Sequence, residues 1–267
     1  TSVSRGLGDV YKRQTLMNLS ALIIARNEEK KIELTLKSLS FVDEIVVILD
    51  RSIDDTKKIA SKYTKKIYEG SWKSEGKRRN YGISKCSSQW ILEIDADELV
   101  TKSLEKEIIQ KLKFKNFDFY YVSLTNFIGN KKVTKGWMAC LAPDGKFCLF
   151  RKGTKVWIDG SVHPQYQIKG KKGKPFANSL NHYLSKDISE LLSKFNRNTT
   201  LYADDLRKEG KSLHKLISVR KIFSRFIKSF ITRRGFQFGG LGVLIGILCA
   251  IYPYVSAIKC REDRIKF

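Results

Sequence analysis

The stretch Trp90-Ile91-Leu92-Glu93-Ile94-Asp95-Ala96-Asp97-Glu98 decides how the rest of the chain is read. Its first five residues are an apolar run of the buried-strand type, and an acidic cluster follows where that strand would end. Asp95 and Asp97, two positions apart in extended backbone, project to the same side and bring two carboxylates together. Such a pair repels unless a cation lies between. A divalent ion holding a diphosphate meets that need, because hard cations take carboxylate and phosphate oxygens together. Taken alone, an Asp-x-Asp is also what a polar exit from a strand looks like, so its surroundings carry the weight.

Working outward, strand and helix patterns alternate. Leu19 to Ala25 is an apolar run ending before Arg26-Asn27, and Glu44 to Leu49 is a second, ending at Asp50. Between them, Asn27 is placed to cap a helix with Glu28 and Glu29 in its first turn and Ile32, Leu34, Leu36 and Leu39 as its apolar positions. Asp54-Asp55-Thr56 opens another helix, Lys66 to Tyr68 reads as a short strand, and Lys77 to Cys86 as a third helix. Strands alternating with helices predict β-α-β units and a mostly parallel sheet. Ligands of such sheets gather beyond the carboxyl ends of the strands, which is where Arg26-Asn27, Asp50 and Asp95-Asp97 fall.

After a helix at Lys102 to Leu112 the pattern changes. Phe117 to Leu124, Lys146 to Arg151 and Val156 to Ile158 predict strands of an antiparallel flap, and Lys169 to Lys174 a basic turn. A helix is expected at about Ile188 to Glu209. Leu213 to Ile231 spaces its apolar residues three and four apart, with Lys215, Lys221, Arg225 and Lys228 on a basic face, as in a membrane-surface helix or a helix packed on the main domain. Phe236 to Ile258 is 23 residues without formal charge, long enough to cross a bilayer, although four glycines and Pro253 favour shallow or re-entrant attachment. The expected organisation is a polar leader, non-native or disordered, over 1–16 before a start at Met17, a catalytic domain over 17–210, and a basic, apolar membrane-associating tail over 211–267.

The chain has 267 residues, 42% hydrophobic, with 51 Lys and Arg against 27 Asp and Glu, a net charge of +24. A core is affordable at that composition, and the charge favours polyanionic partners or an anionic membrane surface. The five cysteines show no Cys-x-x-Cys spacing, which points to a reducing compartment. The basic residues are spread along the chain with no reader motif, so a nucleic-acid partner is not expected.

Ala25-Arg26-Asn27-Glu28-Glu29, Asp50-Arg51-Ser52-Ile53-Asp54-Asp55-Thr56, Gly76-Lys77-Arg78-Arg79-Asn80 and Leu92 to Glu98 occur in that order over about 80 residues, counted from these positions. The series resembles the family-2 glycosyltransferases. The resemblance implies an α/β, Rossmann-like GT-A fold and an inverting transfer from a nucleotide-activated sugar. It further implies that Ala25, Arg26, Asn27 and Glu28 cradle the nucleotide, that Asp50 meets a uracil N–H, and that Lys77 or Arg78 neutralises phosphate. Asp97, with Asp95 behind it, would hold Mg²⁺ or Mn²⁺. Gly136-Trp137, Cys148 to Lys152, Val162-His163, Asn181-His182-Tyr183-Leu184 and Arg233-Arg234-Gly235-Phe236 are similar to the lipopolysaccharide-core glucosyltransferase branch. That branch implies a UDP-sugar donor, usually UDP-glucose, a lipid-linked glycan acceptor, and work at the cytoplasmic face of the inner membrane. Polyprenyl-linked or capsule glycans are the alternative acceptors, and a nucleic-acid-binding protein or a non-catalytic scaffold are the alternatives of another class. The branch usually shows a glutamate after Val-His, whereas Pro164 stands here. Asp159 and His163 are therefore the local candidates for the general base that deprotonates an acceptor hydroxyl. His182 is expected to hold a phosphate or pack the flap.

Overall fold

A computed structural model describes residues 18–114, 116–158, 165–208, 210, 213–214 and 216–262. The N-terminal half alternates as expected: β1 (Leu19–Ala25), α1 (Ile32–Lys37), β2 (Glu44–Asp50), α2 (Thr56–Ala60), β3 (Ile67–Gly70), α3 (Glu75–Lys85) and β4 (Trp90–Asp95). β5 (Glu98–Leu99), α4 (Lys102–Leu112), β6 (Phe119–Ile128), β7 (Lys131–Val133), β8 (Gly145–Arg151), β9 (Lys155–Trp157), β10 (Tyr166–Ile168) and β11 (Leu180–Ser185) follow. The main sheet has nine strands in the order β3-β2-β1-β4-β8-β6-β11-β5, with β7 on β6. β3, β2, β1 and β4 are parallel neighbours, while β8 enters antiparallel to both β4 and β6.

β1 shows why the chain folds this way. Its side chains alternate between two cores and all seven residues are buried. Leu19, Ala21 and Ile23 join Leu36 of α1 and Leu104 and Ile108 of α4 on one face. Leu22 and Ile24 join Ile83 of α3 on the other. A strand buried on both faces must be apolar throughout, as parallel central strands are. Each such Leu or Ile contributes about 1.5–3 kcal/mol relative to exposure. Gly82 lets α3 come close: a Cβ there would sit 2.7 Å from the Leu22 side chain.

Four expectations are corrected. Asn27 caps no helix: its φ is +55°, and α1 starts five residues later at Ile32. Leu34 is correspondingly exposed rather than apolar-facing. β6 and β8, expected in a flap, are interior strands of the main sheet, and among the described residues only β9 and β10 form a separate hairpin. The predicted amphipathic helix Leu213 to Ile231 is shorter: Leu213 and Leu216 pack beside Cys260, and helix α6 runs Val219–Ile227 before a π-turn at Lys228–Thr232.

The C-terminal helices pack on the body. α5 (Ile188–Lys208) lies along α7 (Gly239–Glu262), which carries Pro253 inside it. Leu184 and Leu191 share a core with Trp137, Ile245, Leu248 and Cys249. Tyr252 donates its hydroxyl to Asn198 O at 3.1 Å, and the Lys259 ammonium donates to Asn196 O at 2.9 Å. The apolar segment Gly235–Glu262 is long and apolar enough to cross a membrane, yet 56% of its most apolar stretch is buried against the rest of the chain.

Candidate active site

Strand register assembles the site. Ile24 of β1 stands level with Ile48 of β2 on one side and Asp95 of β4 on the other. Ala25, Asp50 and Asp95 therefore end at one edge of the sheet. The loops leaving β1 and β2 are tied there: Asn27 Oδ1 accepts from Ile53 N at 2.9 Å, Glu28 N donates to Thr56 Oγ1 at 2.8 Å, and Glu29 N donates to Asp54 Oδ2 at 3.1 Å. Asn27 and Arg51 both hold left-handed backbone, φ +55° and +52°. Each costs about 1–2 kcal/mol for a residue with a Cβ, and such strain collects at functional sites.

Helix α3 delivers cations to the same edge. Ser74 caps it by accepting from Lys77 N. Arg78 reaches Asp50 at 2.7 Å, and Arg51 meets the other oxygen at 2.9 Å. Burial works against ionising Asp50, but Arg51 and Arg78 outweigh it and hold its carboxyl below the usual range. Lys77, on the same turn, is exposed. Arg79 binds Glu75 at 2.6 Å, Glu93 at 2.7 Å and Asp95 at 3.2 Å, and its guanidinium lies 4.8 Å from the Trp157 ring. Arg78 Nε and Trp157 Nε1 are buried without a hydrogen-bond partner among the described residues. Buried donors left so are uncommon and suit a ligand.

The two aspartates differ in what they already hold. Asp95 is spent: Arg79 takes one oxygen and Lys146 the other, at 2.8 Å. Lys146 also meets Glu98 at 2.6 Å. Among the described residues Asp97 has longer cationic neighbours, Lys194 at 3.5 Å and His182 Nε2 at 3.7 Å. Burial opposes the charge on Asp97, and the nearby His182 and Lys194 still hold its carboxyl low. Burial would lower the His182 imidazole, and Asp97 reverses this and raises it. The other nitrogen of His182 is fixed at 2.7 Å from Asn126 Oδ1. Glu28 lies close enough to Asp97 that burial, then that charge, push its carboxyl up. Arg26, Asn27, Glu28, Ile53, Asp97 and Lys194 line one cavity of about 900 Å³.

One carboxylate and one imidazole facing each other at 3.7 Å can share a divalent ion, whose bonds to such ligands are about 2.1 Å each. Among the described residues no three His, Cys, Asp or Glu side chains converge on one point. An ion at Asp97 and His182 would thus take its remaining ligands from water and substrate oxygens, the usual habit of Mg²⁺ with phosphates.

The structure brings Ala25, Arg26, Asn27, Glu28, Asp50, Arg78, Asp95 and Asp97 to one edge. Asp159 and His163 lie outside the described residues. Arg79, Lys146, Lys194 and the placement of His182 opposite Asp97 escaped the sequence reading. Lys146 had a signal: alternation puts it on the same face as Cys148, a lysine aimed inward from an apolar strand.

Known proteins resemble this chain over most of its length. An uncharacterized glycosyltransferase of Rickettsia conorii is 28% identical over 93% of this chain and 91% of its own length. The lipopolysaccharide core biosynthesis glycosyltransferase LpsC of Rhizobium meliloti is 25% identical over 91% of this chain and 92% of its own. Among solved structures, residues 1–349 of Staphylococcus aureus TarS in complex with UDP align over 92% of this chain and 91% of that one, at 16% identity and a TM-score of 0.46. The sequence model of the family described as Glycosyl transferase family 2 matches residues 20–156, just over half of the chain, a span that holds Ala25 to Glu28, Asp50, Arg78, Asp95 and Asp97 but not His182 or Lys194. The chain belongs to glycosyl transferase family 2.

Proposed function

We propose that this enzyme is a metal-dependent, inverting transferase that moves a sugar, with glucose the expected one, from a UDP-sugar to a lipid-linked glycan of the lipopolysaccharide inner core. The carrying observation is the division of labour between the aspartates: Asp95 has both oxygens engaged by Arg79 and Lys146, while Asp97 stands open on the cavity beside His182. Ala25 to Glu28 and Asp50 would hold the nucleotide, with Arg78 fixing the orientation of Asp50. Asp97 and His182 would hold Mg²⁺ or Mn²⁺, which when bound supplies Lewis-acid stabilisation of the leaving diphosphate. Lys194, 3.5 Å from Asp97, stands where it can meet a phosphate oxygen. Asp159 and His163 remain the proposed bases; β9, which precedes them in the sequence, ends at Trp157, whose ring lies 4.8 Å from the Arg79 guanidinium. The similarity to LpsC supports the core-glycan acceptor over polyprenyl-linked or capsule glycans.

Attachment to the cytoplasmic face of the inner membrane is part of the same proposal. Val219, Phe223, Ile227 and Ile231 recur every fourth residue and are exposed at 76%, 67%, 38% and 51%. An apolar stripe flanked by Arg220, Lys221, Arg225 and Lys228 suits an anionic lipid surface.

Calorimetry with UDP-glucose, UDP-galactose, UDP-GlcNAc and ADP-heptose, each with and without Mn²⁺, tests the donor and the metal. The wild type is expected to bind a UDP-sugar more tightly with Mn²⁺, and Asp97→Asn to lose that increment while keeping metal-free UDP binding. An unchanged Mn²⁺ increment in Asp97→Asn removes Asp97 from the metal site.

A further inference from the structure

Two motifs remain unused by this mechanism, Gly136-Trp137 and Arg233-Arg234-Gly235, and the fold places them against each other. Gly136 N donates to Arg233 O at 3.0 Å, Arg233 Nη1 donates to Trp137 O at 2.7 Å, and the buried Ser229 hydroxyl donates to Gly136 O. The contact is too tight for side chains: a Cβ on Gly242 would fall 1.9 Å from Gly235 O, and one on Gly136 would fall 3.0 Å from the Gly235 Cα. The π-turn Lys228–Thr232 leads into this junction, and Arg234 follows with φ +57°. A π-turn and a left-handed arginine are both strained, and both recur at functional sites.

The junction walls a cavity of about 340 Å³ lined by Asn126, Thr134, Lys135, Asp144, Arg233 and Arg234, among others. Its charge is unbalanced. Asp144 accepts from the Tyr121 hydroxyl at 2.9 Å and faces Arg233 at 4.0 Å. Lys135 and Arg234 have no ion pair or side-chain hydrogen bond among the described residues, and both are exposed to the cavity mouth. Two uncommitted cations, one from each segment of the junction, favour an oxyanion.

Topology says which substrate carries it. Asp50, the proposed nucleotide contact, is on β2, and Asp95 ends β4. Asn126 is on β6, two strands beyond β4 on the side away from β2. Asn126 lines the cavity and holds His182, which faces Asp97. The cavity is thus joined through Asn126 and His182 to Asp97, on the side of the sheet away from the proposed nucleotide contact on β2.

We propose that this cavity binds a phosphate or carboxylate group carried by the acceptor glycan, with Lys135 and Arg234 supplying the charge. The proposal rests on the transferase reading above and adds an anionic acceptor to it. Its test uses the full chain, wild type and Lys135→Gln/Arg234→Asn, with glucose 6-phosphate and glucose followed by saturation-transfer NMR, inorganic phosphate by its displacement of glucose 6-phosphate, UDP by calorimetry, and phosphatidylglycerol vesicles by co-sedimentation. Asparagine tolerates left-handed backbone, so the turn is kept. Saturable glucose 6-phosphate binding in the wild type, weakened at least about fivefold (about 1 kcal/mol) in the variant with UDP affinity unchanged, is the expected result. Arg234→Lys should restore it, and glucose should not saturate either protein. Inorganic phosphate weakened in step with glucose 6-phosphate supports the oxyanion as the recognised group. Equal glucose 6-phosphate affinity in both proteins, or none in the wild type, overturns the proposal. A parallel loss of UDP affinity assigns the cations to the donor, and a loss seen only with phosphatidylglycerol vesicles assigns them to a lipid headgroup; each overturns the acceptor site. A wild type that binds glucose 6-phosphate but no UDP-sugar would instead strike at the transferase reading.

Discussion

Lys146→Met is the substitution through which the charge balance of the site can be measured. Lys146 bridges Asp95 at 2.8 Å and Glu98 at 2.6 Å, and its side chain is 22% exposed against 35% and 2% for its partners. At an effective dielectric near 20, each contact is worth about 6 kcal/mol before desolvation is subtracted. Removing one partner of a buried pair costs about 3–5 kcal/mol because the remaining charge stays buried. Asp95 keeps Arg79 and is part-exposed, so Glu98 dominates, and the lower end, about 3 kcal/mol, is expected. Burial raises the Glu98 carboxyl, Lys146 opposes that, and Asp95 adds to it. Without the ammonium, the folded-state value climbs further above the unfolded one near 4.3. A group raised in the folded state favours folding below its unfolded value and loses that advantage as pH rises through the folded value. The penalty should therefore be full at pH 8 and smaller at pH 5.5. Urea unfolding reads this as a midpoint shift of about 1 M at pH 8, for a slope of about 3 kcal/mol/M. Adding Glu98→Gln should recover at least half of the loss. A penalty under about 1 kcal/mol, or one equal at both pH values, refutes the reasoning.

Other perturbations probe separate parts of the molecule. In Gly173→Ala the new Cβ would lie 1.9 Å from the Tyr120 ring; overpacking of about 1–3 kcal/mol should lower the melting temperature by about 4–8 °C, and an unchanged melt would contradict that packing. Burial opposes the Glu44 charge, but Lys66, Ser20 and Ser87 hold it down to about 2, so the wild type's margin over Glu44→Gln should be present above the ordinary carboxylate value and vanish as pH falls toward 2, as carboxyl NMR titration would show. Removing residues 210–267 uncovers Leu184 and Leu191, and the remainder should aggregate or melt early; a stable, soluble 1–209 fragment would instead support an independent catalytic domain. Reversing Lys221, Arg225 and Lys228 to Glu should weaken binding to anionic vesicles by about 1 kcal/mol per charge removed and leave neutral vesicles unaffected; equal effects on both would make α6 a packing element.

The parallel half of the fold was legible because its information is local. Leu19 to Ala25, Glu44 to Asp50 and Trp90 to Ile94 carry strand identity in their own composition, and helices between them leave few topologies. Asn27 misled because an asparagine after a strand suits both a cap and a left-handed turn, and its side chain chose Ile53 N across the sheet edge. Leu213 to Ile231 misled because Leu213 and Leu216 continue the apolar spacing while packing against Cys260 rather than in one helix. His182 and Lys146 reach the site through β11 on β5 and β8 on β4. Those pairings join segments roughly 55–85 residues apart in the sequence, and no periodicity records them.

The same long-range pairings change what the net charge of +24 means. Composition suggested that the basic surplus faces outward toward polyanions. Part of it instead faces inward: Arg78, Arg79, Lys146 and Lys155 are spent on Asp50, Glu93, Asp95 and Glu98. A site this acidic could not close without those counter-ions, because like charges a few ångströms apart in a poorly solvated edge disfavour folding. Satisfying all carboxylates internally would have left nothing to bind a divalent ion. Among the described residues the cations nearest Asp97 stop at 3.5 and 3.7 Å, and under the proposed function one of them, the His182 imidazole, would become a ligand by giving up its proton. On the proposed function the arrangement separates carboxylates that hold the edge together from the one that would meet metal and substrate, and an Asp-x-Asp read without its partners shows no such difference.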